Sequence, residues 1–589
     1  MTDSTPTVSS RHVGQIFFQR AAELGDRTFI KLQSGESFEE ISWRDFGALV
    51  GQVLSGLCAV GIAPGETVAI IGENSLPWLA ADLGTLAGGF PNVLVAPSLS
   101  DVMFVKVLGH AQCRAAFVQN AAVAGRLVTL QGQLPALQQL IVMDDSGAGI
   151  ANELNFHQLL ERGAGANGLA ARLQAVQGND LATIMYTSGS TGEPKGVMRS
   201  QDNLLANITN GAAITVSAPD ELAVNILSLN HLFGRFGFLK SAVTGRTTAI
   251  IEAAETKVDL PVIEQLSPTG LAVVPRIMER IWDCLLAQDG NQESWRNLER
   301  LDDKRSSAGL SDAECRCFDE LKAQLKANVR RAFGGRIKYV AYGGAAMPPR
   351  IMRFFELIGL PLIGSYGSTE CGGVTLCGIG ENRPGNLGKP FANVQIRIAA
   401  DGEILVRGPT VSPGYFKNPE ATREVFNEEG WYSTGDIGLI EADGSLKITG
   451  RKKDIFNCSD GSNIYPGFIE LQLENEPYIS QAVLLGDQRP FIAALIFPDR
   501  QKIAVSLNRD RATLSEAEII AALSTQIERV NGRLESYERI RQIAVVPSEF
   551  PAEVRSINHF HKIKVNRDQV ASRYRQQIDA IYRTAMQED

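Results

Sequence analysis

At 589 residues the chain is too long for one hydrophobic core, and its length implies about three to four packing units. Its 44% hydrophobic and 21% charged residues are those of a soluble globular protein, and a net charge of -9 excludes nucleic-acid binding as its main business. The polar start, Met1 to Ser10, has no basic n-region or apolar h-region, and no apolar run reaches the ~18 residues of a membrane span, so a cytoplasmic location is expected.

Val13 to Leu24 carries apolar residues at helical spacing. Ile41-Ser42-Trp43 leads to a helix over Val50 to Val60, which Gly61 stops. Thr67 to Ile71 reads as an apolar strand, Gly72 to Ser75 as a turn with an N-cap, Pro77 to Leu86 as a helix and Ala115 to Val118 as another strand. Such alternation predicts parallel sheet with helices on its faces. Ser146 to Ala166, Gly- and Ala-rich at both ends, reads as surface connection.

Leu181 to Tyr186 reads as a buried strand feeding Thr187-Ser188-Gly189-Ser190-Thr191-Gly192-Glu193-Pro194-Lys195-Gly196, and Val197 to Ile214 as a strand end and then a helix. Glycines let backbone N–H groups approach a phosphate, hydroxyls add donors, and Lys195 adds a mobile positive charge. By composition this is a triphosphate cradle. It is not a Walker loop, because Pro194 stands where that motif's second Gly would lie and Gly196 follows the lysine. The competing reading, an ordinary Gly/Ser surface loop, yields only to partner motifs downstream.

Leu222 to Leu229 reads as a strand ending at Asn230-His231-Leu232-Phe233-Gly234, and Leu271 to Val274 as one closed by Pro275-Arg276. Asp283 to Ala327 is charged, with Leu321, Leu325 and Val329 at helical spacing, and predicts an outer excursion of helices. Ile337 to Ala341 re-enters the sheet and runs into Tyr342-Gly343-Gly344-Ala345-Ala346-Met347-Pro348. After an amphipathic helix over Ile351 to Ile358, a strand over Leu360 to Ile363 reaches Gly364-Ser365-Tyr366-Gly367-Ser368-Thr369-Glu370. From Gly388 short alternating strands (Val394 to Ile398, Gly402 to Arg407, Leu446 to Thr449) predict an antiparallel sheet or small barrel. Beyond Gly450 come strands over Val483 to Leu485, Ile492 to Phe497 and Ile543 to Val546, with helices around Glu516–Leu534 and Asp568–Tyr582. A charged hinge at Arg451-Lys452-Lys453-Asp454 marks a boundary. The expected organisation is α/β: an N-terminal domain over 1–450 with a β-rich subdomain at about 388–450, then a small mobile α+β lid over 451–589.

Read together, the Thr187–Gly196 run, Gly343-Gly344-Ala345, Ser365 to Glu370, Tyr432-Ser433-Thr434-Gly435-Asp436 and Gly450-Arg451-Lys452-Lys453-Asp454 resemble, in order, the motifs of adenylate-forming enzymes: acyl-CoA synthetases, luciferases and adenylation domains. The resemblance spans about Val13 to Tyr582. It implies ATP, Mg²⁺ and CoA as cofactors. Thr187, Ser188, Gly189, Ser190, Thr191, Gly192 and Lys195 would cradle phosphates; Gly343, Gly344 and Ala345 would border adenine and the acyl chain. Ser365, Tyr366, Gly367 and Thr369 would complete the nucleotide site, with Tyr366 on adenine and Thr369 on phosphate. Thr187 and Glu370 would hold Mg²⁺, a hard cation that takes oxygen ligands. Asp436, by itself an Asx-turn former, would accept from both ribose hydroxyls, with Arg451 beside it. His231, which alone reads as a core histidine, would orient the carboxylate; Lys453 would be the hinge residue; Ser459, Asp460 and Gly461 would line the path of CoA.

The family's catalytic lysine near the C-terminus usually follows Gly or Thr-Pro-Thr-x, and neither stands before Ser556-Ile557-Asn558-His559-Phe560-His561-Lys562-Ile563-Lys564. Counting back from Arg567 gives Lys564 the position; Lys562, on the same strand face, competes. Val274-Pro275-Arg276 and the Gly343-Gly344-Ala345 string resemble the long-chain fatty acyl-CoA branch, and Lys240 stands near where amino-acid activators carry an Asp. The resulting expectation is activation of a carboxylic acid to acyl-AMP, then thioester formation with CoA. An acyl-AMP ligase loading an acyl carrier protein, a lactone-forming relative and, from another class, a catalytically silent nucleotide-binding protein stay open. Partners are a small carboxylate and CoA, without nucleic acid or a transmembrane segment; peripheral membrane contact stays open.

Overall fold

Two large sheets share one layer of helices. The computed structural model describes residues 12–585 apart from 36, 145, 147–152, 166–167, 189–192, 213–219, 252–259, 289, 379, 384, 458–462, 547–554, 558–562 and 566. Among the described residues, the first sheet is seven-stranded, in the order Glu153–Asn155, Gln139–Val142, Ala115–Val118, Val68–Ile71, Asn92–Val95, Leu181–Ser188 and Pro194–Ser200. Every pairing in it is parallel except the last. The second, nine-stranded among the described residues, has a parallel centre built on Leu362–Ser368, Tyr339–Tyr342, Gly270–Val273, Leu222–Asn225, Thr247–Ile250 and Thr28–Ser34. Antiparallel strands close both its edges.

Parallel strands buried on both faces must be apolar at every position, and Val68–Ile71 obeys. Its Val68 and Ile70 face the core between the sheets, while Ala69 and Ile71 face the outer core. The inner core takes helices Val13–Leu24, Trp43–Ala59, Leu76–Gly88, Gln201–Ala212 and Leu232–Thr244. Outer helices, among them Pro275–Ala287, Asn291–Ser307, Asp312–Ala332 and Pro349–Ile358, cover the far face of the second sheet. A four-stranded antiparallel sheet, Gln395–Ile398, Glu403–Arg407, Tyr432–Ile440 and Leu446–Arg451, packs through Ile404, Val406 and Leu446 on Cys371 and Val374. Beyond it, strands Ile479–Leu485, Ile492–Pro498 and Ile540–Val545 form a sheet with helices on both faces, Ala494 and Ile496 facing one way and Leu495 and Phe497 the other.

The expected α/β architecture is observed, and four local expectations are corrected. The helix expected over Val50 to Val60 begins at Trp43, where the Ser42 hydroxyl caps the Asp45 N–H. The connection expected over Ser146 to Ala166 holds strand Glu153–Asn155 and helix Phe156–Gly163, started by a capping box between Asn155 and Gln158. Asp436 lies on strand Tyr432–Ile440 rather than on a turn, beside a register shift in its ladder. The last helix is two, Arg567–Arg573 and Arg575–Ala585.

Candidate active site

Strand Leu181–Ser188 runs out past its parallel neighbour, and Pro194–Ser200 returns antiparallel to it, placing Thr187 opposite Lys195. The glycine-rich run is therefore flanked by a hairpin and does not open a helix, which is the physical difference from a Walker loop. Gly189, Ser190, Thr191 and Gly192 lie outside the described residues, as does the Ser188 side chain. Helix Asp101–Ala111 braces the hairpin: Lys106 Nζ pairs with Glu193 at 2.7 Å, and His110 Nδ1 lies 2.7 Å from the Tyr186 hydroxyl. Thr187 Oγ1 is 3.5 Å from the Lys195 carbonyl. The half-buried Lys195 ammonium sits 5.1 Å above the Tyr415 ring and 3.9 Å from Glu424.

Tyr366 and Glu370 come from the end of strand Leu362–Ser368 and the turn after it, where pairing has switched from parallel to antiparallel. Gly367 is obligatory there, since a Cβ would meet the Gly372 carbonyl at 2.1 Å. The Tyr366 hydroxyl donates to Asp436 Oδ2 at 2.7 Å, and Arg451 Nε forms an ion pair with Oδ1 at 2.8 Å. Burial and the adjacent Asp436 carboxylate hold the Tyr366 phenol protonated, well above its usual range. Asp436 is thus a buried, oriented acceptor, and its neighbours Thr434, Gly435, Arg451, Lys452 and Lys453 line a cleft of about 300 Å³. Glu370 is half-buried, and its Oε1 accepts from the Tyr415 hydroxyl at 3.3 Å. Thr369, next to it, is buried.

Gly343 and Gly344 end strand Tyr339–Tyr342. A Cβ at Gly343 would come within 2.8 Å of Ser365 Oγ and 3.6 Å of Phe233, while Gly344 turns with φ +84 and Ala345 is exposed. His231 is the N-cap residue of helix Leu232–Thr244 without capping it through its side chain. Its loop is stitched to the other sheet, Asn230 Nδ2 donating to the Gly72 carbonyl at 2.9 Å and Asn74 Oδ1 accepting from the Leu229 N–H at 3.0 Å. The carboxyl ends of both sheets meet there, where ligand sites of parallel sheets form. Lys240 is turned away to hydrogen bond: its Nζ donates to the Gly211 carbonyl at 2.9 Å, and burial pulls its pKa down to about 7.

One buried ion pair fixes this helix. Arg235 and Asp82, both fully buried, meet through two bonds of 3.0 and 2.6 Å, and Asn92 Nδ2 donates to Asp82 at 2.8 Å. Arg235→Leu strands Asp82 in the core and is expected to cost about 3–5 kcal/mol, read as a lowered urea midpoint. Adding Asp82→Leu should recover much of it; a double variant no better than the single would show that packing, not charge, holds the site.

Lys453 lies in the one-turn 3-10 helix Lys452–Asp454. Lys564 lies on strand Ile563–Val565, opposite Ser556, with its side chain outside the described residues; Lys562, Ser459, Asp460 and Gly461 lie outside them entirely. Sequence reasoning missed Tyr415, Arg199 and Glu403. Arg199 is fully buried on strand Pro194–Ser200, donating through Nη1 to the Thr410 carbonyl, with Nε and Nη2 unpartnered among the described residues. Burial pulls its pKa down to about 10, against the opposing pull of Cys371 and Glu370. A charged residue at the inward position of an alternating strand was the available signal.

Two helix-covered parallel sheets joined at their carboxyl ends, an antiparallel subdomain on one edge and a small α+β unit after it make up the fold of adenylate-forming enzymes. The A domain of carboxylic acid reductase from Segniliparus rugosus, solved with AMP and a co-purified carboxylic acid, superposes with TM-score 0.72 over 99% of this chain and 95% of that one at 21% identity. The anthranilate CoA ligase AuaEII, solved with anthranoyl-AMP, gives 0.73 over 98% and 99% at 18% identity. Residues 17–416 match the family described as AMP-binding enzyme, and residues 453–586 the AMP-binding enzyme C-terminal domain. Long-chain-fatty-acid–CoA ligase FadD15 of Mycobacterium tuberculosis is 31% identical over 550 residues, 90% of each chain. Human long-chain-fatty-acid–CoA ligase 1 is 26% identical over 587 residues, 93% of this chain and 83% of the relative. The chain belongs to the AMP-binding enzyme family.

Proposed function

We propose that the chain is an AMP-forming acyl-CoA synthetase acting on medium- to long-chain fatty acids. The observation that carries this is the buried Asp436 carboxylate, oriented by Tyr366 and Arg451, in a chain whose curated relatives over nine-tenths of its length are long-chain-fatty-acid–CoA ligases. A carboxylate is a poor electrophile because its leaving group would be oxide. Attack by the substrate carboxylate on the α-phosphorus of ATP releases pyrophosphate and gives acyl-AMP; attack by the CoA thiol on its carbonyl then releases AMP. Such chemistry needs positioning and charge neutralisation more than a covalent nucleophile.

An ionised carboxylate has about four acceptor sites. Tyr366 donates to one oxygen of Asp436 and Arg451 pairs with the other, which leaves acceptor capacity for both ribose hydroxyls. Lys195 and the run before it take the phosphates, Gly343 to Ala345 border adenine and acyl chain, and His231 orients the carboxylate. Thr187 and Glu370 suit Mg²⁺, since a hydroxyl and a single carboxylate fit a hard cation that takes most of its ligands from phosphates and water. When bound, Mg²⁺ would neutralise phosphate charge. The residues beyond Lys453 form the lid that brings Lys564 to the carboxylate, with Ser459, Asp460 and Gly461 on the CoA path. The cytoplasm is the assigned compartment, in keeping with cysteines that are free among the described residues.

ATP–pyrophosphate exchange over a series of saturated acids tests this reading. With about 0.8 kcal/mol per buried methylene, each added carbon should raise kcat/KM about threefold to fourfold until the chain outgrows the apolar surface that receives it. A flat profile, or preference for acetate or an aromatic acid, would overturn the fatty-acid assignment. A carrier-bound thiol is the alternative acceptor, since the A-PCP didomain of a carboxylic acid reductase shares the fold with TM-score 0.74. Thioester formation with a carrier protein but not with CoA would decide for it.

A further inference from the structure

A short connecting segment, Ser412 to Phe416, joins the strand carrying Lys195 to the turn carrying Glu370. It is fastened to both. The Ser412 N–H donates to the Glu370 carbonyl at 2.7 Å, and the Ser412 hydroxyl donates to the Met198 carbonyl at 2.7 Å. The Met198 N–H donates to the Gly414 carbonyl at 3.0 Å, and the Phe416 N–H to the Gly196 carbonyl at 2.8 Å. Gly414 passes at φ +136, where a Cβ would meet Thr422 Cγ2 at 2.5 Å, so the segment has one path.

Tyr415, in the middle, is 6% exposed. Its ring packs edge-on against Phe426 at 5.9 Å, its π face lies 5.1 Å from Lys195 Nζ, and its hydroxyl donates to Glu370 Oε1 at 3.3 Å. One side chain thus touches both the amine assigned to phosphate and the carboxylate assigned to Mg²⁺. A π face holds an ammonium without neutralising it, and the Glu424 carboxylate 3.9 Å away is exposed and weakly paired, so the charge can still serve an anion. A phenol on Oε1 fixes the carboxylate while leaving Oε2 for a cation.

We propose that Tyr415 is a positioning residue that sets the spacing between Lys195 and Glu370 and so matches the site to the Mg²⁺ complex of ATP. The proposal rests on the nucleotide reading above. The ring and the hydroxyl have separable tasks: the ring serves Lys195 and the phosphates, and the hydroxyl serves Glu370 and the metal.

The test is calorimetric titration of the full chain with an α,β-methylene analogue of ATP, in EDTA and at graded Mg²⁺. Tyr415→Phe keeps the ring, so binding in EDTA should be unchanged while the Mg²⁺ needed for half-maximal tightening rises about threefold to tenfold. Tyr415→Leu should also weaken binding in EDTA, because Lys195 loses its platform. In Glu370→Gln the Tyr415→Phe change should add little, since both act on one contact. A Mg²⁺ requirement in Tyr415→Phe within about twofold of the unmodified chain overturns the proposal alone. Equal weakening of Tyr415→Phe with and without Mg²⁺ also overturns it, because that is the mark of a general packing role. If the unmodified chain binds no analogue at any Mg²⁺ concentration, the nucleotide reading falls and this proposal with it.

Discussion

Asp436→Ala is expected to lower kcat/KM for ATP in pyrophosphate exchange by about two to four orders of magnitude, from two charge-assisted hydrogen bonds of ~1.5–3 kcal/mol each. The carboxylate is buried, so water cannot substitute for it. The variant also leaves the Tyr366 hydroxyl without its acceptor and Arg451 without its partner. Tyr366→Phe separates these effects. It removes one donor to Oδ2 but leaves Asp436 charged and paired to Arg451, so its loss should be smaller, about tenfold. Asp436→Asn should fall near Asp436→Ala, since an amide has one acceptor oxygen and no charge to hold Arg451. Exchange kinetics for Asp436→Ala within about fivefold of the unmodified chain would remove it from the nucleotide site.

The parts of this site that sequence made legible are those whose chemistry is local. A glycine- and hydroxyl-rich run ending in Pro194-Lys195-Gly196 offers backbone approach and charge within a few residues, and only the motifs downstream set it apart from an ordinary surface loop. Gly343 and Gly367 stand in runs that read as strand-end ligand loops, and a Cβ would meet the Ser365 hydroxyl at 2.8 Å at the first and the Gly372 carbonyl at 2.1 Å at the second. Tyr415 and Arg199 are not legible in this way, because their meaning lies in contacts far along the chain. Tyr415 meets Glu370 from 45 residues away, and Arg199 reaches Thr410 from 211 residues away.

The same distinction separates the elements. Short parallel strands such as Ala115–Val118 are continuous apolar runs and read directly. The hairpin Thr28–Ser34 with Ser37–Ser42 carries mostly exposed or half-exposed side chains at the sheet's edge, and no period marks it. Asp436 looked like a turn residue because Ser433-Thr434-Gly435 precedes it, and φ at Gly435 is indeed +70. The ladder to Glu403–Arg407 and Leu446–Arg451 nevertheless keeps it in a strand. Tertiary pairing overrode a local preference there. For the helix at Trp43, by contrast, the signal was present in Ser42-x-x-Asp45 and was outweighed by the apolar spacing that starts later.

Lys564→Ala is expected to lower acyl-AMP formation by about two to three orders of magnitude while sparing transfer from pre-made acyl-AMP to CoA, as loss of one preorganised cation at developing charge would. Lys453→Pro is expected to do the reverse, because proline fixes φ and removes an N–H where a hinge must change its dihedrals. The contacts around the proposed hinge are ones that such movement could break. Lys452 Nζ is held by Asp401 at 2.7 Å and Glu403 at 2.8 Å, and Glu403 also accepts from the Gly435 N–H at 2.9 Å, next to Asp436. The lysine side of that clamp is half-exposed, and its pairing to Asp401, exposed on both sides, is worth only about 0–1 kcal/mol, while Glu403 is buried. The clamp nonetheless ties the proposed hinge to Gly435, next to Asp436, so a nucleotide bound at Asp436 would have a direct contact through which to bias the proposed lid. Lys562→Ala is the control, with a small loss expected in both half-reactions. Were Lys562 essential and Lys564 dispensable, the register of strand Ile563–Val565 in the site would be shifted by one pleat. Were neither needed, this chain would form its adenylate on Lys195, Glu370 and its bound metal alone, with the lid serving only the thiol.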